Sequence, residues 1–434
     1  MGKVFINKKG LIIAPGLETY LAVLTINQEK PSYIAFITDE LVNEQVQDIL
    51  NKINFKPFET RNFFIKQGIS TIETVQEFLR AFSWLTERKH VSQVIVDATN
   101  TLKPRAISLY MTASFIEVFK GFSEEKFDIR LDCINCPFDL KAKPIKGKER
   151  LIRLDEPVDT IGFVLGMYAV NLFNTLAYSA AAKIFDILEN KTSDSLHLFY
   201  SGLKKLSNAF DGWDKFQLSE AIEDLKDSIS IFKKIKRYVL VNKILPSLQQ
   251  KLKILEETNK KFGLHQIVDV YQNGNRRLER DRFDDATARF YCCLEMISRF
   301  RLAKFGIDTT KPEYNKLPRT CIEKFKKRNR NILPKEIDLK KGFELLECLN
   351  DPLGKEVEKN KKVFLGLIGL RNSSILAHGT RPITQKNTVL FKEKLTEKLL
   401  FDLLEQENVP KEKILNSHIH IKLPVSIKEF YKQL

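Results

Sequence analysis

The sequence predicts an α/β front half followed by an all-helical back half. Three observations carry this. Short β-branched or apolar runs alternate with helical periodicity up to about residue 156. Beyond about residue 157 strand signals nearly vanish and helical periodicity takes over. The first strand signal closes on a tight loop, Pro15-Gly16-Leu17-Glu18-Thr19, as a strand-to-helix connection would.

Strands are predicted at 11–14, 33–38, 63–66 and 94–96, with helices over 20–27, 44–53, 71–87 and 107–119 between and after them. Strands separated by helices imply a parallel, right-handed doubly wound sheet, ended by two further short strands at 127–133 and 150–154. The back half reads as helices over 172–188, 195–210, 218–235 and 244–261, resembling a helical-hairpin connector without a fixed-period repeat. A helix over 284–303 opens on Asp284 and Asp285, which suit the positive end of its dipole. Helices over 340–349 and 357–371 then complete an all-helical bundle.

Two stretches carry chemistry. Val94-Ile95-Val96 reads as a buried strand closed by Asp97, followed by Ala98, Thr99, Asn100, Thr101 and Lys103 before the next helix. Hydroxyls, an amide, backbone N–H groups and an ammonium would gather where parallel sheets hold phosphate-bearing ligands. An ordinary strand–turn–helix with capping residues fits the same letters. Gly16 in the first loop would allow a sharp turn and close backbone approach to a ligand. This first loop lacks the spacing of a dinucleotide fingerprint or a Walker motif, so NAD and ATP are not supported.

The second stretch is Arg371-Asn372-Ser373-Ser374-Ile375-Leu376-Ala377-His378. A helix continuing through it would place arginine and histidine on one face, roughly 10 Å apart, with Gly379 as the stop. Arginine can hold a phosphate and histidine can move a proton near neutral pH, a pair suited to metal-free RNA cleavage. A helix-terminal histidine satisfying carbonyls is the plainer reading of His378. With six histidines in the chain, such a spacing arises about once by chance, so its context decides.

Composition narrows the partners. A chain of 434 residues suggests two or three domains, and 43% hydrophobic residues suffice for real cores. A formal charge of +16 favours polyanions such as nucleic acid, although a solvated lysine surface explains part of it. Six cysteines in a chain this long point to a reducing compartment, and Cys133-x-x-Cys136 lacks a second ligand pair, so all six read as structural and no metal is expected. The uncharged run over 160–182 is long enough to cross a membrane. Its polar stripe of Asn171, Asn174, Thr175 and Tyr178 favours a buried or dimer-facing helix instead. His418 and His420 alternate in an expected strand over 417–422, without partners for a metal. The basic clusters Lys324, Lys326, Lys327, Arg328, Arg330 and Arg276, Arg277, Arg280, Arg282 could guide RNA or simply face water.

The front half resembles a CARF domain, the Rossmann-like sensor of type III CRISPR systems. The marks are Ala14-Pro15-Gly16 through Thr19, and Asp97-Ala98-Thr99-Asn100-Thr101-Leu102-Lys103. The latter is one residue shorter than the family's Asp-x-Thr-Gly-Gly-Thr-Lys-like stretch, with Asn100 in place of the glycine pair. The back half resembles a HEPN ribonuclease domain through Arg371, Asn372 and His378, with the helix opening at Asp284 similar to the family's first helix. The resemblance implies a sensor over 1–156, a connector over 157–262 and a HEPN-like bundle over 263–434.

It further implies a cytoplasmic homodimer that binds cyclic tetra- or hexa-adenylate as activator through Gly16, Leu17, Thr19, Thr38, Thr99, Asn100, Thr101 and Lys103. Single-stranded RNA would be cut at paired Arg371, Asn372 and His378, with no cofactor required, leaving 2′,3′-cyclic phosphate and 5′-OH ends while sparing DNA. The alternative is a non-catalytic cyclic-nucleotide sensor that docks RNA or a protein partner.

Overall fold

The computed structural model describes residues 8–66, 70–99, 101–119, 127–140, 143–154, 157–192, 194–236 and 238–424. It divides into two compact units, residues 1–166 with 187–197, and residues 167–186 with 198–434.

The first unit is built on β1 (Lys9–Ile13), α1 (Tyr20–Glu29), β2 (Tyr33–Thr38), α2 (Gln45–Lys52), β3 (Glu59–Phe64), α3 (Thr71–Ser83), β4 (Gln93–Asp97), α4 (Lys103–Phe119), β5 (Asp128–Asn135) and β6 (Arg150–Arg153). The sheet order is β3-β2-β1-β4-β5-β6, with β1 to β5 parallel and β6 running back against β5. The expected doubly wound sheet is therefore present. The third strand lies earlier than expected, at Glu59–Phe64, because the polar run Glu59-Thr60-Arg61-Asn62 suits an edge strand with exposed residues and gives no apolar signal.

Alternate residues of the central strands serve opposite cores. Ile12, Ala35, Ile37, Val94 and Val96 pack with Phe78 and Ala81 of α3 and Leu109 of α4. Leu11, Ile13, Ile34, Phe36 and Ile95 pack with Ile26 of α1 and Ile49 of α2. Burial on both faces is what makes these strands read as continuous apolar runs. Strand order reverses at β1 and β4, where Ile13 pairs in register with Asp97. The loops after β1 and β4 therefore leave side by side.

A buried ion pair secures this end of the sheet. Arg105 in the first turns of α4 meets Asp39 just past β2 at 2.5 Å, both about 3% exposed. The same carboxylate accepts the N–H groups of Leu41 (3.0 Å) and Val42 (3.2 Å), shaping the turn that follows β2.

Three helices, α5 (Pro157–Asn174), α6 (Tyr178–Lys191) and α7 (Asp194–Asp214), are shared between the units. The uncharged run over 160–182 is broken: α5 ends at Asn174, Leu176 takes a left-handed φ of 64° and α6 starts at Tyr178. Among the described residues no helix is long and apolar enough to cross a membrane.

The second unit continues with α8 (Leu218–Lys234), α9 (Val239–Lys260), α10 (Leu264–Glu279), α11 (Phe283–Lys304), α12 (Arg319–Arg328), α13 (Leu339–Cys348), α14 (Pro352–Lys359), α15 (Lys361–Asn372), α16 (Gln385–Phe391), α17 (Lys398–Gln406) and α18 (Lys411–Ser417). Its core centres on α10 and α11, where Gly274 admits the Phe290 ring so closely that a Cβ would lie 2.5 Å from it.

The strand expected over 417–422 is absent. His418 and His420 instead follow α18 as buried, irregular chain. His418 Nδ1 lies 3.0 Å from the Ile414 carbonyl. His420 contacts the Tyr178 hydroxyl at 2.8 Å and packs against the Phe210 and Trp213 rings. Asn174, read from sequence as part of a polar stripe, exchanges two 2.7 Å bonds with the Leu423 backbone. The segment is sequestered against the helices, where both histidine Nδ1 atoms and the Leu423 backbone find partners, so its alternation has no ladder to serve.

Two stability outcomes follow from these contacts. Arg105→Leu leaves Asp39 buried without its cation and is expected to cost roughly 3–5 kcal/mol in urea unfolding. A loss below about 1 kcal/mol would contradict the pair's role. Burial drives His418 down to about 3 and His420 well below its ordinary value. Both stay neutral in the fold but take protons in the unfolded chain below 6.5, so each contributes stability that is lost as pH falls from there. Asp269, raised by burial to about 6, acts in the opposite sense as pH rises from 3.8. His420→Phe should make stability fall less steeply as pH drops below 6.5, by up to about 1.4 kcal/mol per pH unit, whatever its absolute cost. An unchanged slope argues against a buried neutral imidazole.

Candidate functional site

In the helical unit, α15 ends at Asn372, and its last turn carries Arg371. The expected helix through His378 is not formed. Ser373 caps the end through its N–H on the Gly369 carbonyl (3.1 Å), and residues 374–379 make successive turns. The His378 N–H donates to the Asn372 carbonyl at 3.2 Å, so the chain from Asn372 to His378 closes as a loop rather than running on as helix. Gly379 does not stop a helix. It lies so close to Ser373 that a Cβ would sit 2.0 Å from that carbonyl oxygen, making glycine the residue that lets the loop close.

The side chains differ in how they are held. Ser374 is buried, whereas Asn372 and His378 are exposed. Arg371 is half-buried: its guanidinium carbon lies 4.2 Å from the centre of the Tyr291 ring on α11, and Nη1 donates to Asn372 Oδ1 at 3.2 Å. Glu295 stands one turn on from Tyr291 along α11. Partial desolvation raises the Glu295 carboxyl above its ordinary value, with the nearby Arg371 charge working against the rise. Past the loop, Asp284 accepts the Ile383 N–H at 3.2 Å, and the Thr287 and Thr388 hydroxyls meet at 3.0 Å. The acidic opening of α11 thus has a structural task besides its dipole. Chemically, the loop offers a fixed cation and a solvent-facing imidazole.

The basic clusters resolve differently. Lys324 and Arg328 pair with Glu347 at 2.8 and 2.9 Å. Arg276 is buried and, with Arg277, pairs with Asp214 at 2.8 Å, while Arg280 donates to the Leu176 carbonyl. Arg276, Arg277 and Arg280, on α10 and at its end, build the helical unit rather than a free surface.

In the sheet unit, the first loop exposes Leu17 and buries Thr19, whose hydroxyl donates to Asp48 at 2.7 Å. Beside it lies a cleft of about 330 Å³ lined by Glu18, Thr19, Tyr20, Lys52, Lys143 and Lys146, among others. Lys146 sits 5.0 Å over the Tyr20 ring, and the Tyr20 hydroxyl donates to Glu149 at 2.5 Å. Sequence reading missed this β5–β6 loop; its signal was lysines alternating with Pro144 and the left-handed Gly147 (φ 84°).

Of the sequence candidates, Thr19 lines that cleft; Gly16, Leu17, Thr38, Thr99, Thr101 and Lys103 do not. After β4, the Thr99 N–H donates to Asp97 at 2.7 Å and the Thr99 hydroxyl accepts the Ile134 N–H at 2.8 Å. Burial raises the Asp97 carboxyl, opposed by hydrogen bonds from Thr25 and Thr99. Thr38 is fully buried, and its hydroxyl and that of Thr101 have no hydrogen-bond partner among the described residues. Lys103 is exposed at the start of α4, and Asn100 lies outside the described residues.

Two family models match consecutive stretches of the chain: a Csm6 6H domain over residues 167–260 and a Csm6 HEPN domain over residues 255–402. A CRISPR system endoribonuclease Csm6 from Thermus thermophilus is 22% identical over 335 residues, covering 73% of this chain and 69% of the relative. The structure of Enterococcus italicus Csm6 bound to cyclic hexa-2′-fluoro-hexa-dAMP shares the fold at a TM-score of 0.60 and 10% identity, covering 94% of this chain and 97% of that one. With two Csm6 domain models spanning more than half its length and a Csm6 fold throughout, the chain belongs to the Csm6 family of CRISPR HEPN ribonucleases.

Proposed function

We propose that this chain cleaves single-stranded RNA without a metal at a site shared by two copies, and that cyclic oligoadenylate bound by its sensor half switches the activity on. Residues 1–156 act as the sensor, 157–262 as the connector and 263–434 as the nuclease, working as a homodimer in the cytoplasm. The observation that carries the reading is the closed loop that holds Arg371 and leaves Asn372 and His378 exposed at one helix end.

The chemistry follows from those side chains. His378 takes the proton of a ribose 2′-OH as its oxygen bonds to the adjacent phosphorus. The P–O5′ bond breaks, and the protonated imidazole of the partner subunit's His378 supplies the proton to the departing 5′ oxygen. Arg371 neutralises the charge that builds on the non-bridging oxygens, a role a metal fills elsewhere. Asn372 positions the arginine through its Oδ1. The ends are a 2′,3′-cyclic phosphate and a 5′-OH, and DNA lacks the nucleophile.

Pairing of two copies is supported by the outer face of α15. Gly366 and Gly369 have open space above them, flanked by the exposed side chains of Leu365 and Leu376, so a second backbone could approach beside Arg371. Activator binding is supported by the lysine-lined cleft at Thr19, whose charge suits a ring of phosphodiesters. The Enterococcus italicus Csm6 structure holding a cyclic hexanucleotide analogue supports it further.

A fluorogenic RNA incubated with protein, with and without cyclic tetra- or hexa-adenylate, tests the reading. Cleavage should require one of the activators and fall at least about 100-fold in Arg371→Ala or His378→Ala. Binding of an activator with no cleavage would favour the sensor that docks a partner without cutting. Lys146→Glu should raise the activator concentration needed for half-maximal cleavage by roughly tenfold, while leaving the maximal rate at saturating activator unchanged. An unshifted activation curve would place the activator elsewhere.

A further inference from the structure

Arg371 is the charged member of the proposed pair, yet its side chain has few restraints of its own. Among the described residues its Nε is buried without a hydrogen-bond partner, and one hydrogen bond ties Nη1 to the exposed Asn372. A long, rotamer-rich side chain restrained so weakly would lose much entropy on fixing a phosphate. What fills the gap is a ring. Tyr291 lies 4.2 Å beneath the guanidinium carbon, within the range where a ring face attracts a cation.

Tyr291 follows Phe290, which is buried against Gly274, so its backbone on α11 is held by the core. Tyr291 and Glu295 are four residues apart, so they share a helix face. A guanidinium lying on a ring is held in place, while Nη2 and the second hydrogen of Nη1 are left to meet two oxygens of one phosphate. Lysine could not use the same platform in this way, since an ammonium has no plane to align.

We infer that Tyr291 is a positioning residue for RNA cleavage, its ring holding the Arg371 guanidinium in place for the scissile phosphate. This rests on the nuclease reading above. Because the stack orders Arg371 for the transition state, its loss should appear in kcat more than in KM.

The test uses the full-length protein with saturating activator and an RNA substrate. Tyr291→Leu should lower kcat about tenfold or more with KM changed less than about threefold. Tyr291→Phe, which keeps the ring, should stay within about threefold of the parent. Equal activity of Tyr291→Leu and the parent, or equal losses in the leucine and phenylalanine variants, would overturn the inference. A second readout does not need activity: the Nε–H proton resonance of Arg371, assigned with Arg371→Lys, should be displaced upfield by the ring and stay so in Tyr291→Phe. A resonance at the position of an unstacked arginine in the parent would also overturn it. Absence of cleavage by the parent with either activator, beside a displaced resonance, would instead sink the nuclease reading while showing the contact itself to be present.

Discussion

The candidate nuclease site depends on the docking of an exposed loop onto one buried helix. Helix α11 runs through the core of the helical unit, fixed by Phe290 against Gly274, and presents polar and aromatic groups on its outer side. Tyr291 receives Arg371 before the loop, and Asp284 with Thr287 receives Ile383 and Thr388 after it. Anchored at both ends and pinched by the Gly379–Ser373 contact, the loop holds its geometry while exposing His378 to solvent. Exposed side chains can thus be presented at the surface without the looseness of a free loop.

The sheet unit follows a related logic with different parts. At the carboxyl ends of its parallel strands, acidic side chains organise the turns: Asp39 shapes the chain after β2 and grips Arg105, and Asp97 orders Thr99 after β4. Asp48, on α2, holds the Thr19 hydroxyl. These carboxylates lie where an anionic ligand would bind, so positive charge must come from elsewhere. Lys143 and Lys146 on the β5–β6 loop, with Lys52 of α2, line the cleft beside Thr19.

Much of the architecture was legible because it rests on burial. The runs at β1, β2 and β4 are apolar on both faces, and that requirement shows directly in the letters. The edge strand β3 was placed late because its polar residues face water. The geometry of the Arg371 motif was not legible: Ser373 and Ser374 carry no apolar repeat that would reveal the end of α15, and the role of Gly379 exists only through a contact with Ser373. Tyr291 lies eighty residues from Arg371, and no local spacing links them. His418 and His420 alternate like a strand, yet their partners, Ile414 and Tyr178, belong to helices. Arg276 and Arg277 read as surface charge because their shared acid, Asp214, lies on another helix.

The chemistry of the cut ends tests the central claim most directly. RNA cleaved by activator-saturated protein in excess chelator would be analysed by mass spectrometry for its termini. The Arg371–His378 account predicts 2′,3′-cyclic phosphate and 5′-hydroxyl ends, because the neighbouring 2′-OH is the nucleophile. Ends bearing 3′-hydroxyl and 5′-phosphate, or loss of cleavage in chelator, would contradict it.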